Sequence, residues 1–243
     1  MQTKTVLVTG AAARIGAAIA RALHADGMNV VIHYFRSSAA ADALCDSLNL
    51  LRPGSASSVC ADLLQESQYR PVIEQAGDRH GRLDVLINNA SAFFPTSIGG
   101  TTSMHWDELL GTNLKAPYFL AQEAAPALRR SGGCIVNLAD IHADRPLRNY
   151  GVYSIAKAGL VMLTKVLAKE LAPEVRVNAV SPGAVLWPEH LDEGLRERVI
   201  SHTMLKRAGN PDDVVRAVRF LIRDAGYVTG QILTVDGGRT LYS

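Results

Sequence analysis

The chain has 243 residues, of which 48% are hydrophobic, 20% charged and only 6% aromatic. Its 25 Lys+Arg against 23 Asp+Glu leave a net charge of +2, which excludes a strongly basic nucleic-acid binder, and the apolar content excludes a disordered chain. Cys45, Cys60 and Cys134 are widely spaced and odd in number, so they form no disulfide framework or metal knuckle and read as apolar residues of a reducing compartment. Only Val6, Leu7 and Val8 precede Thr9-Gly10 as an apolar run, and no stretch reaches the roughly 18 apolar residues of a membrane span. A soluble, cytoplasmic protein with no membrane partner is expected.

Strand-like and helical patterns then alternate. Thr5–Thr9 is a compact apolar run. Arg14–Ala25 places Ile15, Ala18, Ile19, Ala22 and Leu23 on one helical face, and Gly27 ends it. Asn29–Tyr34 reads as a second strand. Ser38 is expected to cap a helix that stops at Pro53-Gly54. Ser57–Ala61 reads as a strand, Glu66–Arg79 as a helix and Asp84–Asn88 as a strand. A Gly/Thr/Ser loop over 96–103 leads to a helical stretch near 112–130 and a strand at Cys134–Leu138. A long helix over 151–171, a strand at Arg176–Val180, a helix over 211–223 and a strand at Gln231–Val235 follow.

Uniformly apolar strands alternating with helices predict an α/β fold: one doubly wound, Rossmann-type domain over residues 1–243 with about seven parallel strands and helices on both faces. The one long irregular stretch, roughly 182–205, contains Trp187, Pro188 and His190 and reads as a substrate lid.

The first strand runs into Thr9-Gly10-Ala11-Ala12-Ala13-Arg14-Ile15-Gly16 and then a helix. Gly10 permits a tight turn, Gly16 lets the helix approach the sheet, and the helix N-terminus offers N–H groups to a pyrophosphate. Such turns also serve plain packing, but strand, turn, helix and second strand form the context of dinucleotide binding. A NAD site wants an acid at the end of the second strand for the ribose 2′-OH. Here His33-Tyr34-Phe35-Arg36-Ser37 stands there instead. Arg36 and Ser37, with Arg14 opposite, suit a 2′-phosphate, so NADPH/NADP+ is the expected cofactor; the alternative is that Arg36 is a solvated loop charge.

Tyr153 and Lys157, spaced i, i+4 at the start of the long helix, share one face. A lysine ammonium beside a phenol is expected to lower the tyrosine pKa and make it a proton donor or acceptor. Alone, the pair would be an ordinary surface contact. The seven histidines show no metal-ligand spacing, and no metal is expected.

Thr9-Gly10…Gly16, Asn88-Asn89-Ala90, Asn113, Tyr153…Lys157 and Ser181-Pro182-Gly183 resemble the short-chain dehydrogenase/reductase family over essentially the whole chain. The resemblance implies that Tyr153 is the general acid and that Lys157 binds the nicotinamide ribose and tunes the tyrosine. It implies that Asn113 supports a proton-relay water and that Pro182-Gly183 holds the carboxamide. Gly10, Arg14, Ile15 and Gly16 would surround the pyrophosphate, Asp62-Leu63 would flank the adenine, and Asn89-Ala90 would line the ribose. The family usually forms tetramers, so a homotetramer is expected; Leu160, Leu163 and Leu167 supply apolar surface on the long helix.

Two departures are informative. Arg14 replaces the central glycine of the turn, and Asp140 stands 13 residues before Tyr153, where the family carries serine. One reading is decay into a non-catalytic relative, against which the remaining active set is intact. The chemical reading is that a carboxylate repels a developing alkoxide and suits a cationic or protonatable ring nitrogen. Thr9–Gly16, His33–Ser37, Asn88–Pro95 and Asp140 together resemble the pteridine reductase branch of the family. By that resemblance Phe93 stacks on a pterin, Ser91 and Arg14 bond the pterin or the cofactor phosphates, and Asp140 with Tyr153 protonates the ring. Trp187 would meet the substrate's side chain. The expected partner is thus a small pterin or folate. A 3-oxoacyl-type carbonyl reductase and a non-catalytic NADP(H) sensor are the alternatives.

Overall fold

A computed structural model describes residues 3–186 and 192–242. Thr5–Val8 (β1), Arg14–Ala25 (α1), Asn29–Tyr34 (β2), Ser38–Leu51 (α2), Ala56–Cys60 (β3), Tyr69–Asp78 (α3) and Val85–Asn88 (β4) make up the first half. Ser103–Leu110 (α4), Ala116–Ser131 (α5), Cys134–Leu138 (β5), Gly151–Glu170 (α6), Arg176–Pro182 (β6), Glu193–Ser201 (α7), Pro211–Arg223 (α8) and Ile232–Val235 (β7) complete it. The seven strands pair in the order β3-β2-β1-β4-β5-β6-β7, all parallel.

Alternate side chains of each strand enter opposite layers. Val6, Val8, Val85 and Ile87 pack with Ile19, Leu23, Leu44, Leu48, Val218 and Leu221 of α1, α2 and α8. Leu7, Leu86, Ile135 and Val177 pack with Val72, Leu120, Leu128, Leu160 and Leu163 of α3, α5 and α6. Both faces are covered, so the central strands are buried and largely apolar, as a parallel sheet favours.

Three departures from the sequence reading have physical causes. The 96–103 segment is not all loop: α4 begins at Ser103, because the Thr102 hydroxyl accepts from the His105 N–H and His105 Nδ1 accepts from the Thr102 N–H. That is a capping box with histidine where Glu or Gln signals one in sequence. Ser38 does not cap α2; Ser37 occupies that position, and its hydroxyl makes no cap bond. The supposed lid contains α7, while Trp187 and its neighbours 188–191 lie outside the described residues.

The long helix α6 is apolar and long enough to cross a membrane by composition, yet 56% of that window is buried in the fold. Leu160, Leu163 and Leu167 are spent on the core, so they are not the surplus apolar surface; Ile155, Met162 and Val166 are the exposed apolar residues of α6.

A buried polar chain ties α6 to the sheet. Asn88 Nδ2 donates to Asn137 Oδ1 (2.8 Å), Asn137 Nδ2 to Thr164 Oγ1 (2.9 Å), and the Thr164 hydroxyl to the Leu160 carbonyl (2.8 Å). Removing the middle member strands the buried Asn88 amide donor and takes the donor away from Thr164 Oγ1. Asn137→Ala is therefore expected to lower the unfolding free energy by about 2–4 kcal/mol, read from the urea midpoint.

Candidate active site

Every loop that follows a strand emerges on one side of a parallel sheet, and there the sequence-predicted residues gather. The β1–α1 turn is the most constrained part. Gly10 has φ +60, and a Cβ on it would lie 2.9 Å from the Ala90 Cα. A Cβ on Gly16 would lie 2.6 Å from both the Asn89 amide nitrogen and the Gly10 carbonyl. Asn89 fills that space itself, donating to the carbonyls of Thr9 (2.8 Å) and Gly10 (3.0 Å), while the Thr9 hydroxyl accepts from the Asn89 and Ala90 N–H groups. The side chain of Asn89 thus locks β4 to the turn.

His33 supports the same turn from below. Its Nδ1 accepts from the Gly10 N–H (3.1 Å) and its Nε2 donates to the Ala61 carbonyl (3.2 Å). It is 2% exposed, and burial holds the imidazole down to about 4. Both ring nitrogens are engaged inside the fold, so of the His33–Ser37 segment it is Phe35, Arg36 and Ser37 that lie exposed on the surface, with Tyr34 half-buried.

Arg14 carries φ +55 at the first residue of α1, a left-handed conformation that costs a non-glycine residue roughly 1–2 kcal/mol. This explains the glycine otherwise usual there and marks Arg14 as a residue held at a cost. Arg14 and Arg36 form no ion pair among the described residues, and the Arg36 guanidinium lies 5.0 Å over the Phe35 ring. The N-termini of α1 and α2 have no side-chain cap and no acid in their first turn, whereas those of α4 and α8 are closed by capping boxes. A cavity of about 410 Å3, lined by Phe35, Cys60, Ala61, Asp62, Gln68 and Val72 among others, opens at the ends of β2 and β3. The Asp62 carboxylate accepts from the Leu64 N–H, while Leu63 is buried. Open N-termini, two cations without an ion pair among the described residues, the adjoining cavity and a turn with no room for Cβ atoms fit a dinucleotide.

The reacting end lies beyond β4, β5 and β6. Tyr153 donates its hydroxyl proton to Asp140 Oδ2 (2.7 Å), and Asp140 Oδ1 accepts from the His142 N–H (2.8 Å), which fixes the carboxylate. Tyr153 is 4% exposed. Burial first, then the Asp140 charge and hydrogen bond, push its hydroxyl well above the ordinary tyrosine range, with Ser91 acting weakly the other way. This reverses the expected lowering by Lys157, whose ammonium is 5.7 Å from the ring centroid and donates to the Leu138 carbonyl (2.8 Å). Burial brings Lys157 itself down to about 8, against the pull of Asp140.

Asn113 sits in a π-helical turn, residues 111–115, between α4 and α5; the extra residue per turn is a common device at functional sites. Its Nδ2 donates to the carbonyls of Ala92 and Leu109 (2.9 Å each), and its Oδ1 accepts from the Ser91 hydroxyl (2.7 Å). Its side chain braces the Ser91–Ala92 segment. Phe93 is 53% exposed; its ring stacks on Tyr150 (4.5 Å) and meets the Tyr153 ring edge-on (4.8 Å). The backbone of Gly183 packs against Asp236, which follows β7.

The sequence reading missed Tyr150, Asp236 and Arg239. Nothing in their local pattern marks them: the first lies in the loop before α6, while Asp236 packs against Gly183 and Arg239 enters the field of Asp140 only because the tail turns back beyond β7. Gly237-Gly238 signals such a turn but not its direction.

The chain matches, over residues 10–240, the family model described as enoyl-(acyl carrier protein) reductase. It belongs to the short-chain dehydrogenase/reductase family, whose members are oxidoreductases that bind NAD(P)H. It is 38% identical to an uncharacterized oxidoreductase of Methylorubrum extorquens, the alignment covering 98% of both chains. Pteridine reductase 1 of Leishmania tarentolae is 37% identical, covering 97% of this chain and 96% of its own. A 3-oxoacyl-[acyl-carrier-protein] reductase of Staphylococcus aureus is 34% identical, covering 97% and 98%.

Because His33 stays neutral to about pH 4 in the fold and titrates near 6.5 when unfolded, the unfolded chain binds the extra proton between those values. Stability is full above pH 6.5 and falls toward pH 4, this group contributing about 3 kcal/mol. His33→Asn removes that titration, so its unfolding free energy is expected to fall less steeply than the wild type's between pH 6.5 and 4 in urea titrations.

Proposed function

We propose that the protein is an NADPH-dependent reductase of pteridines, adding hydride and a proton across a ring C=N bond of a dihydropterin, dihydrofolate or oxidised pterin. The observation that carries this reading is the hydrogen bond from Tyr153 to Asp140, a carboxylate where the family has serine. An alkoxide developing beside Asp140 would be repelled, whereas a ring N–H and amino group would be attracted. Each Asp140 oxygen keeps a lone pair free, since one is taken by Tyr153 and the other by the His142 N–H. A flat aminopyrimidine edge can pair with both.

A bound NADPH supplies the hydride. Arg14, Arg36 and Ser37 would hold its phosphates, and Gly10, Ile15, Gly16, Asp62, Leu63, Asn89, Ala90, Pro182 and Gly183 would line its site. Tyr153 holds the proton destined for the ring nitrogen. In the free protein burial, reinforced by the Asp140 charge, keeps that proton on the phenol. Once Asp140 pairs with the substrate's N–H groups, its charge is offset and Tyr153 releases the proton more easily. Lys157, still mostly an ammonium at neutral pH, then stabilises the phenolate. Phe93, already packed against Tyr153, offers its exposed ring to the pterin face, with Ser91 and Arg14 at the edge and Trp187 assigned to the substrate's tail. Asn113 acts by holding Ser91 in place, alongside its role toward a relay water. The exposed Ile155, Met162 and Val166 of α6 suit a helix-to-helix contact in a homotetramer.

NADPH oxidation at 340 nm with 7,8-dihydrobiopterin, dihydrofolate and an acetoacetyl thioester tests the reading. Pterin turnover that falls at least about 100-fold in Asp140→Ser supports it. Turnover of the thioester alone overturns it in favour of a carbonyl reductase. For the cofactor, Arg36→Glu is expected to raise the Kd of NADPH about 10–100-fold while leaving that of NADH unchanged or lower, as measured by fluorescence titration.

A further inference from the structure

The segment after β7 ends beside the catalytic residues. Gly237 and Gly238, with φ +63 and +79, turn the chain, and the Asp236 carboxylate accepts from the N–H groups of Gly238 and Thr240 (2.8 Å each). The short 3-10 turn Arg239–Leu241 follows. It is held down at its far end: Arg145, just past Asp140, donates to the Tyr242 carbonyl (2.5 Å), and the Tyr242 ring stacks on His202 (4.1 Å). The guanidinium of Arg239 is thereby kept in a half-buried position within the fields of Asp140 and Asp236.

Four charged side chains thus meet at this end of the sheet: Asp140, Asp236, Lys157 and Arg239. Their formal charges cancel, so an entering anion is not repelled by the group as a whole. Three of them are committed: Asp140 to Tyr153 and the His142 N–H, Asp236 to its own turn, and Lys157 to the Leu138 carbonyl. Arg239 has no hydrogen bond or ion pair from its side chain among the described residues. A half-buried guanidinium with no hydrogen bond among the described residues loses hydration that the fields of Asp140 and Asp236 offset only in part, and an arriving carboxylate supplies two parallel bonds in its place. Nor is the cofactor's 2′-phosphate its partner. Arg36 follows β2, and β7 lies five strands away in the sheet, about 24 Å at the usual spacing.

We infer that Arg239 is a specificity-determining residue that binds a carboxylate on the part of the substrate projecting beyond the reacting ring, so that the preferred substrate carries an anionic tail. This rests on the reductase reading above and adds to it the class of tail.

The test compares two substrates that differ in the tail charge: dihydrofolate, with its carboxylates, and dihydrobiopterin, with a neutral tail. In the wild type, added NaCl should raise KM for dihydrofolate more than for dihydrobiopterin. Arg239→Met should raise KM for dihydrofolate at least about 10-fold more than for dihydrobiopterin, with kcat for the two changing alike. Arg239→Lys should retain part of the preference. Both substrates see the same folded fraction, so a loss of stability cancels in the ratio. If only acetoacetyl thioesters turn over, the pteridine reading fails, and the same comparison is made between the N-acetylcysteine (carboxylate) and N-acetylcysteamine (neutral) thioesters. A KM ratio that is insensitive to salt in the wild type and unchanged in Arg239→Met overturns the role of Arg239 in either case.

Discussion

Seven strands running in one direction impose a geometry on everything else in this protein. Each strand must be followed by a crossover, each crossover must cover one face, and all the strands then end on the same side. The β1–α1 turn, Arg36, Asp62, Asn89–Phe93, Asp140, Gly183 and Arg239 come from seven different loops. They share one surface because the sheet is parallel, not because they are close in sequence. The polar chain Asn88–Asn137–Thr164 extends this constraint to α6, fixing the helix that carries Tyr153 and Lys157 against the middle of the sheet.

Within that frame the two ends of the site use opposite electrostatic strategies. The dinucleotide end is open and positive: uncapped helix N-termini, two arginines with no ion pair among the described residues, and a glycine turn braced from beneath by a neutral histidine. Neutral His33 matters there, because a charged imidazole would lose its acceptor for the Gly10 N–H. The reacting end is closed and balanced. Tyr153 and Lys157 are buried, and burial pushes both toward their uncharged forms, the phenol upward and the ammonium downward. Asp140 reinforces the first effect and opposes the second. Its carboxylate therefore modulates, in both neighbours, a protonation that burial dominates, and whatever pairs with it changes both together.

Much of this was legible in the chain. The boundaries of α1, β2, β5 and α8 follow from hydrophobic period and glycine punctuation, since those elements bury one face each and end at residues that cannot continue them. The glycine turn, the absence of an acid after β2, and the Tyr153–Lys157 spacing are local patterns whose chemistry survives without coordinates. So is the substitution of Asp140 for serine, which is informative because a carboxylate and a hydroxyl treat developing charge oppositely. The start of α4 was hidden because His105 performs the capping role usually played by a carboxylate or amide side chain. α7 was hidden within an irregular stretch of weak periodicity.

Protonation and proximity belonged to the tertiary structure. From spacing alone Lys157 should lower the Tyr153 pKa; in the fold the phenol is buried, Asp140 takes its hydroxyl and the ammonium is drawn to the Leu138 carbonyl, so the direction reverses. His33, which in sequence looks like part of a phosphate clasp, spends both ring nitrogens on the backbone of neighbouring loops. Leu160, Leu163 and Leu167 turn out to be core, and Arg239, unmarked after two glycines, comes within the field of Asp140 from almost 100 residues away. Periodicity and motif determine which elements form and what chemistry they carry, because those depend on neighbours along the chain. Burial, charge pairing and the meeting of distant loops depend on neighbours in space, and only packing supplies them.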